Sequence, residues 1–214
     1  MSFDENELES IKIVLIGESG VGKTSIISQF IDKVFLDDRQ STIGGTFTTK
    51  IVQCGKGKTV RLEIWDTAGQ ERYRSVTNMF YKDANAAVLV YDITRKDSFE
   101  QLKEYWTKQV KENSPSDTIL AICGNKSDLV EKEDVNEGTA RQFAQSLGAI
   151  FVSTSAKSIE QVNNLFIQLV KLYTKCNEVK FIEEEDSTPY KLRKDTVKIT
   201  KENTVKKSKK KGCC

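Results

Sequence analysis

The stretch Gly17-Glu18-Ser19-Gly20-Val21-Gly22-Lys23-Thr24 decides the fold of this chain. It follows an apolar run over 11–16 that predicts a strand, and it opens a pattern over 24–32 that predicts a helix. In that context the spacing G-x-x-x-x-G-K-[ST] predicts a phosphate-binding loop; the alternative is a glycine-rich turn that only connects strand to helix. Glycines let backbone N–H groups point inward, Lys23 would reach the β- and γ-phosphates, and Thr24 would hold magnesium.

The tetrapeptide Asn125-Lys126-Ser127-Asp128 indicates which base the site takes. It follows an apolar run over 118–123, so it lies at the carboxyl end of a predicted strand, where open α/β sheets bind ligands. The carboxylate of Asp128 could accept from both N1–H and the amino group of guanine, and adenine would leave that carboxylate unpaired. Taken alone the four residues also fit a polar turn, but together with the phosphate loop they favour guanine.

A third motif, Trp65-Asp66-Thr67-Ala68-Gly69-Gln70-Glu71, lies between the first two and follows a predicted strand. Asp66 could hold a magnesium-bound water, the Gly69 N–H could meet a γ-phosphate oxygen, and Gln70 could orient an attacking water. With these residues the chain resembles a small GTPase of the Ras superfamily, and specifically a Rab protein. The resemblance extends from Lys12 to about Cys176 and again covers the last two residues.

Three segments carry the resemblance to Rab proteins: Ile43-Gly44-Gly45-Thr46-Phe47, the run from Trp65 to Tyr73, and Tyr91-Asp92-Ile93-Thr94. The small residues Gly45 and Thr46 and the segment Phe80-Tyr81-Lys82-Asp83-Ala84 depart from the commoner Rab pattern. Both departures lie on surfaces that partners of Rab proteins contact, so the identity of the effectors stays open. The small residues at 45 and 46 resemble those of the endosomal branch of the Rab family.

The resemblance implies a set of functional residues, matched position by position. Hydrolysis would depend on Lys23, Thr42, Gly69 and Gln70, and magnesium would be bound by Thr24, Thr42 and Asp66. An effector surface would be formed by Phe47, Trp65 and Phe80. The nucleotide would be bound by Ser19, Gly20, Val21, Gly22, Lys23, Thr24, Ser25, Phe35, Thr42, Gly69, Asn125, Lys126, Asp128, Ser155, Ala156 and Lys157.

The alternation of apolar strands with amphipathic helical stretches predicts an α/β fold. We expect the P-loop NTPase three-layer fold, with a six-stranded, mostly parallel sheet, one antiparallel strand, and helices on both faces. The predicted strands are 12–17, 46–54, 58–66, 86–92, 118–124 and 149–154. The predicted helices are 22–33, 70–81, 97–113, 136–146 and 159–175. The predicted division is an N-terminal extension (1–10), a GTPase domain (11–177) and a disordered tail (178–214).

Charge and cysteine positions distinguish the tail from the rest of the chain. Residues 191–214 contain ten Lys/Arg and two Asp/Glu, a net charge of +8, so the chain's total of +2 leaves −6 on residues 1–190. A basic run beside terminal cysteines suits anionic lipid headgroups; nucleic acid or a merely solvated run are the alternatives, and we expect no nucleic-acid partner. The C-a-a-X box is absent because Lys211 stands where its cysteine would be. The resemblance implies geranylgeranyl groups on Cys213 and Cys214.

The implied function is that of a Rab switch, which binds and slowly hydrolyses GTP and recruits effectors to membranes in vesicle trafficking. Its implied partners are an activating protein, an exchange factor, a GDP-dissociation inhibitor, a prenylation escort protein and effectors. We expect a monomer at the cytoplasmic face of an intracellular, endosomal membrane, with a cytosolic pool. Two alternatives are a nucleotide-bound scaffold that never hydrolyses and a P-loop kinase or ATPase. The absence of histidine argues against a zinc or histidine-based catalytic site.

Overall fold

The core of the fold is a sheet of seven strands. The computed structural model describes residues 8–37, 42, 45–55, 57–67 and 78–182. Within these residues the strands are β1 (Glu9–Ile16), β2 (Gly45–Cys54), β3 (Lys58–Thr67), β4 (Ala86–Asp92), β5 (Ile119–Asn125), β6 (Ile150–Thr154) and β7 (Val179–Phe181). Their order across the sheet is β6-β5-β4-β1-β3-β2-β7.

The sheet is mostly parallel, as the sequence predicts. Strand β1 pairs in parallel with both β3 and β4, and β5 pairs in parallel with both β4 and β6. Strand β2 is antiparallel to β3 and to β7, so among the seven strands of the described residues it alone runs against the others. Every residue of β4 is buried, because a central parallel strand is covered by helices on both faces.

Helices cover both faces of the sheet. They are α1 (Lys23–Asp32), α2 (Asn78–Tyr81), α3 (Lys96–Gln101), α4 (Thr107–Asn113), α5 (Glu137–Ser146) and α6 (Ile159–Thr174). One apolar cluster packs α1 and α6 on one face, and a second packs α3, α4 and α5 on the other. The three-layer arrangement is therefore confirmed. In the part of the chain that the structure describes, no helix is both long and apolar enough to cross a membrane.

Two predicted helices differ from the structure. The predicted helix over 97–113 is divided by a π-helical turn, Leu102–Trp106, which joins α3 to α4. Such turns insert one extra residue into an α-helix and are frequent at functional sites. Of the predicted helix over 70–81, only Asn78–Tyr81 is described, and residues 70–77 lie outside the described residues. A short 3₁₀ segment, Ser127–Lys132, follows β5.

The prediction of six strands is wrong, because β7 adds a seventh at the edge beside β2. The Gly55 N–H donates to the Glu178 carbonyl at 2.9 Å, and Val52 is paired with Phe181. The ring of Phe181 meets Phe30 edge-on at 5.2 Å. The prediction of a disordered tail from 178 is therefore wrong for Val179–Phe181. Three residues with a lysine at the centre form too short a pattern to predict a strand. Strand β1 likewise begins at Glu9, inside the predicted extension.

Candidate nucleotide-binding site

A cavity of about 310 Å³ lies at the carboxyl edge of the sheet, between the loop after β1 and the loop after β5. Most of the predicted nucleotide residues line it, so segments more than 100 residues apart in sequence meet there. The lining residues are Ser19, Gly20, Gly22, Lys23, Thr24, Ser25, Phe35, Leu36, Asp37, Thr42, Thr67, Asn125, Lys126, Asp128, Leu129, Ala156 and Lys157.

The phosphate loop needs glycine at two positions for steric reasons. At Gly17 an added Cβ would lie 2.2 Å from the Val90 carbonyl oxygen, and at Gly22 it would lie 2.3 Å from Asn125 Nδ2. Gly22 also has φ of +97°, which L-residues with side chains rarely adopt. It precedes α1 and provides no side-chain cap. The first N–H groups of α1 therefore remain available at the cavity for an anion.

Lys23 lies at the base of the loop with only 5% of its surface exposed. Its Nζ donates to the carbonyl oxygens of Gly17 at 2.8 Å and Glu18 at 2.9 Å. Burial lowers the pKa of Lys23 to about 8, although the carboxylates of Asp66 and Glu18 oppose that shift. A phosphate group in the cavity would favour the charged form of the lysine, because an opposite charge offsets the cost of desolvation.

Asn125 connects the phosphate loop to the loop after β6. Its side chain is fully buried, and its Nδ2 donates to the Val21 carbonyl at 2.8 Å. Its Oδ1 accepts from the Ala156 N–H at 3.2 Å. The side chain of Val21 itself belongs to the core rather than to the cavity wall. One amide therefore joins three segments of the chain around the cavity.

Asp128 is held by two neighbours at the opposite end of the cavity. Ser155 Oγ donates to one carboxylate oxygen at 2.6 Å, and Lys157 Nζ lies 3.4 Å from the other. Partial burial would raise the pKa of Asp128, but the bonds from Ser155, its own backbone and Lys157 outweigh that effect and lower the pKa. The group is therefore a carboxylate at neutral pH, able to accept two hydrogen bonds.

Phe35 and Lys126 form part of the walls beside Asp128. The Lys157 ammonium lies 5.4 Å from the centre of the Phe35 ring. Lys126 has φ of +66°, and its Nζ lies 2.6 Å from Asp92 Oδ2. Asp92 is buried at the carboxyl end of β4 and was not among the predicted site residues. A charged residue at the end of an apolar strand is too common a pattern to have indicated this contact.

Three oxygen atoms meet where a magnesium ion would be bound. Thr24 Oγ1 lies 2.7 Å from Thr42 Oγ1 and donates to Asp66 Oδ2 at 2.7 Å. Hydroxyl and carboxylate oxygens are the hard ligands that Mg²⁺ takes in proteins, together with water and substrate phosphates. The donor set therefore fits the ion. Gly69 and Gln70 lie outside the described residues.

The cavity also includes residues that the sequence analysis missed. Leu36, Asp37, Thr67 and Leu129 follow predicted functional positions in sequence, but they belong to no motif that assigns them a role. The sequence analysis also missed Arg95, which does not line the cavity but contacts the phosphate loop through its guanidinium. Its position after the segment Tyr91-Asp92-Ile93-Thr94 gave no indication of that contact.

The three predicted effector residues are brought together on the sheet face away from α1 and α6. The centre of the Trp65 ring lies 4.9 Å from that of the Phe47 ring and 5.6 Å from that of the Phe80 ring, and all three residues are partly buried. Lys12 Nζ lies 5.2 Å from the Trp65 ring. The predicted lipid sites, Cys213 and Cys214, lie outside the described residues.

Comparisons with known proteins agree with this architecture. The Ras family profile matches residues 12–175. The chain is 42% identical over 168 residues to Ras-related protein Rab-5A of Dictyostelium discoideum, covering 78% of this chain and 83% of that protein. It is 43% identical over 162 residues to human Ras-related protein Rab-22A, covering 76% and 82%. It is 44% identical over 161 residues to the GTP-binding protein ypt5 of Schizosaccharomyces pombe, covering 75% and 76%.

The fold, the motif order and the profile match together define a guanine-nucleotide-dependent switch protein. The chain belongs to the Ras family, and its relatives place it among the Rab GTPases. It is therefore a small GTPase that binds GTP and GDP and hydrolyses GTP to GDP and phosphate, with regulators and effectors as its general classes of partner.

Proposed function

We propose that the cavity binds guanine nucleotide with magnesium, and that the bound nucleotide switches a membrane-attached form of the protein between two states. The observation that carries this proposal is the arrangement of Lys23 and Asp128 in one cavity. A buried cation lies in a glycine-rich loop, and a carboxylate fixed by Ser155 and Lys157 lies in the loop after β5. These groups suit the two ends of a guanine nucleotide, its phosphates and its base.

Recognition of the base depends on Asp128, Phe35 and the loop that contains Ala156. The carboxylate of Asp128 accepts from guanine N1–H and its amino group, and the ring of Phe35 packs against the base. Lys126 and Lys157 flank the base, and a backbone N–H in 155–157 donates to the guanine oxygen. An adenine base has neither of these donors, so it would lose both hydrogen bonds to the carboxylate, each of which contributes about 1.5–3 kcal/mol.

Phosphate binding depends on the loop from Ser19 to Ser25, whose backbone N–H groups and Lys23 neutralise the phosphate charge. Thr24, Thr42 and Asp66 would hold a magnesium ion, which adds positive charge at the phosphate oxygens. Gly69 is assigned to the γ-phosphate and Gln70 to orienting the attacking water, on the sequence motif alone. Release of the γ-phosphate removes the partners of Thr42 and Gly69, which frees both switch segments.

Membrane attachment is assigned to the tail. Two geranylgeranyl groups on Cys213 and Cys214 give stable anchoring where one lipid chain gives only marginal binding, and the basic run adds attraction to anionic headgroups. We assign the protein to the cytoplasmic face of an intracellular membrane of the endosomal system, where it regulates vesicle traffic. A GDP-dissociation inhibitor and a prenylation escort protein maintain the cytosolic pool, while an exchange factor and an activating protein set the nucleotide state. Effectors bind the surface of Phe47, Trp65 and Phe80.

The test of base recognition is the substitution Asp128→Asn, with binding of guanosine and xanthosine diphosphates measured by competition. An amide in place of the carboxylate can donate to the C2 carbonyl of xanthine and no longer accepts both guanine donors. We expect GDP affinity to fall by about 100-fold or more and the preference to shift towards the xanthine nucleotide. Unchanged GDP affinity in the variant would contradict the assignment. Glu131→Gln, an exposed carboxylate in the same 3₁₀ segment, is the control and should bind GDP normally.

A further inference from the structure

Carbonyl groups of the phosphate loop are held by side chains from inside and outside the loop. Lys23 donates to the carbonyls of Gly17 and Glu18, and Asn125 donates to that of Val21. In a planar trans peptide the carbonyl of one residue and the N–H of the next point in opposite directions. Each bond to a carbonyl therefore also fixes the direction of an N–H group that is needed at the phosphates.

The carbonyl of Ser19 is held by Arg95. The guanidinium donates from Nη1 to Ser19 O at 3.2 Å. Its other side is paired with Asp97, with Nη2 3.1 Å from Oδ2 and Nε 3.4 Å from Oδ1. Asp97 therefore fixes the plane of the guanidinium and leaves Nη1 directed at the loop. Because the side chain of Arg95 is 39% exposed, its orientation is fixed by the pairing with Asp97 rather than by burial.

The peptide bond whose carbonyl accepts from Arg95 joins Ser19 to Gly20. Gly20 has φ of +78°, so this peptide lies beside a residue with unusual backbone freedom. Glycine explores more backbone conformations than any other residue, so an unsupported peptide beside it could rotate its N–H away from the cavity. A Cβ on Gly20 would lie 3.5 Å from Arg95 Nη1, which shows that the guanidinium lies directly against this part of the loop.

We propose that Arg95 is a positioning residue for the phosphate loop: by holding the Ser19 carbonyl it keeps the Gly20 N–H directed at the phosphates, and it thereby slows release of the nucleotide. This inference rests on the proposed function of the cavity. The guanidinium acts through the loop backbone and also places a permanent positive charge beside it. Glu18, which precedes Ser19 in the loop, is held by the π-helical turn that follows α3, since Trp106 Nε1 donates to Glu18 Oε1 at 3.0 Å.

The test compares GDP release from the full-length wild-type chain and from Arg95→Ala, Arg95→Lys and Arg141→Ala, measured with a fluorescent GDP in the presence of Mg²⁺. Loss of one charge-assisted hydrogen bond at a half-exposed site should accelerate release by about five- to tenfold in Arg95→Ala. Arg95→Lys should give an intermediate rate, because it keeps a charged donor but loses the fork to Asp97. Arg141 is an exposed arginine paired with Glu137 on α5, and its removal should leave the rate unchanged.

Competition by guanosine, which has no phosphates, separates positioning of the loop from general destabilisation. Arg95→Ala should keep wild-type affinity for guanosine while losing affinity for GDP. Equal losses for both ligands, or a release rate equal to that of the wild type, would overturn the inference and leave the proposed function intact. If the wild-type chain bound no guanine nucleotide, both would be overturned.

Discussion

At the scale of single residues, Asn125 shows how one buried side chain organises the site. Its amide satisfies a carbonyl of the phosphate loop and an N–H of the loop after β6, so it has no apolar substitute. A buried polar group that loses its partner costs about 1–3 kcal/mol, and Asn125 supports two such groups. The geometry of the cavity and the stability of the fold therefore depend on the same bonds.

The substitution Asn125→Ala tests this dependence. It leaves the Val21 carbonyl and the Ala156 N–H without their partner, so we expect GDP affinity to fall by about 100-fold or more. Isothermal titration of the nucleotide-free protein with GDP measures the change. Ser127→Ala is the matched control, because its hydroxyl lies in the same tetrapeptide but bonds an exposed Gln161. Retention of wild-type affinity by Asn125→Ala would contradict the assigned role.

At the residue scale, the sequence predicts local structure where that structure depends on the spacing of neighbouring residues. The run from Gly17 to Thr24 predicts both its loop and the following helix, because the glycine and lysine positions are fixed relative to one another. Asp92 and Arg95 could not be predicted in this way. Their contacts, with Lys126 and with Ser19, depend on the pairing of distant strands and on which side chain reaches across. A charged residue after a strand is too common a pattern to indicate either contact.

At the scale of secondary-structure elements, strand β7 extends the sheet beyond the predicted end of the domain. Its pairing with β2 covers an edge that would otherwise expose unpaired backbone groups. The Phe181 ring packs edge-on against Phe30, which itself stacks on Phe166 at 3.8 Å. Lys50 lies 4.3 Å from the Phe30 ring centre and 5.2 Å from that of Phe181. Besides its backbone pairing, the strand is therefore held by a ring contact from α1 and by the Lys50 ammonium of β2.

Replacing Phe181 by serine should destabilise this edge. The partly buried ring loses its contacts with Phe30 and Lys50, and we expect the free energy of unfolding to fall by about 1–2 kcal/mol. Urea unfolding of the GDP-bound protein measures the change. Ile182→Ser is the control: Ile182 follows β7 directly and is 37% exposed, so its loss should have little effect. Equal stability of the two variants would show that β7 does not contribute through Phe181.

At the scale of the whole molecule, the charge distribution separates two functions along the chain. The basic tail carries +8 and the preceding residues carry −6, so the acidic part would be repelled by an anionic surface that attracts the tail. At such a surface the protein would attach through the tail rather than through the acidic part. Composition and the terminal motif predict it, since no folded contact is required.

The double substitution Cys213→Ser with Cys214→Ser tests the attachment. Without the two thiols no geranylgeranyl group can be added, and the basic run alone should give only weak, salt-sensitive binding. Fractionation of cells that express each form should find the variant in the soluble fraction and the wild type on membranes. Cys176→Ser, which leaves the terminal pair intact, serves as the control. Salt-resistant membrane binding of the double variant would contradict the anchor.

The central claim is that the cavity holds guanine nucleotide, and identification of the nucleotide that co-purifies with the full-length chain from bacteria tests it most directly. Extraction by denaturation followed by chromatography gives both the identity of the base and the molar ratio to protein. We predict GDP at about one equivalent, because the site hydrolyses GTP and retains the product. Bound GTP alone would contradict hydrolysis, and an adenine nucleotide or an empty cavity would contradict the guanine site itself.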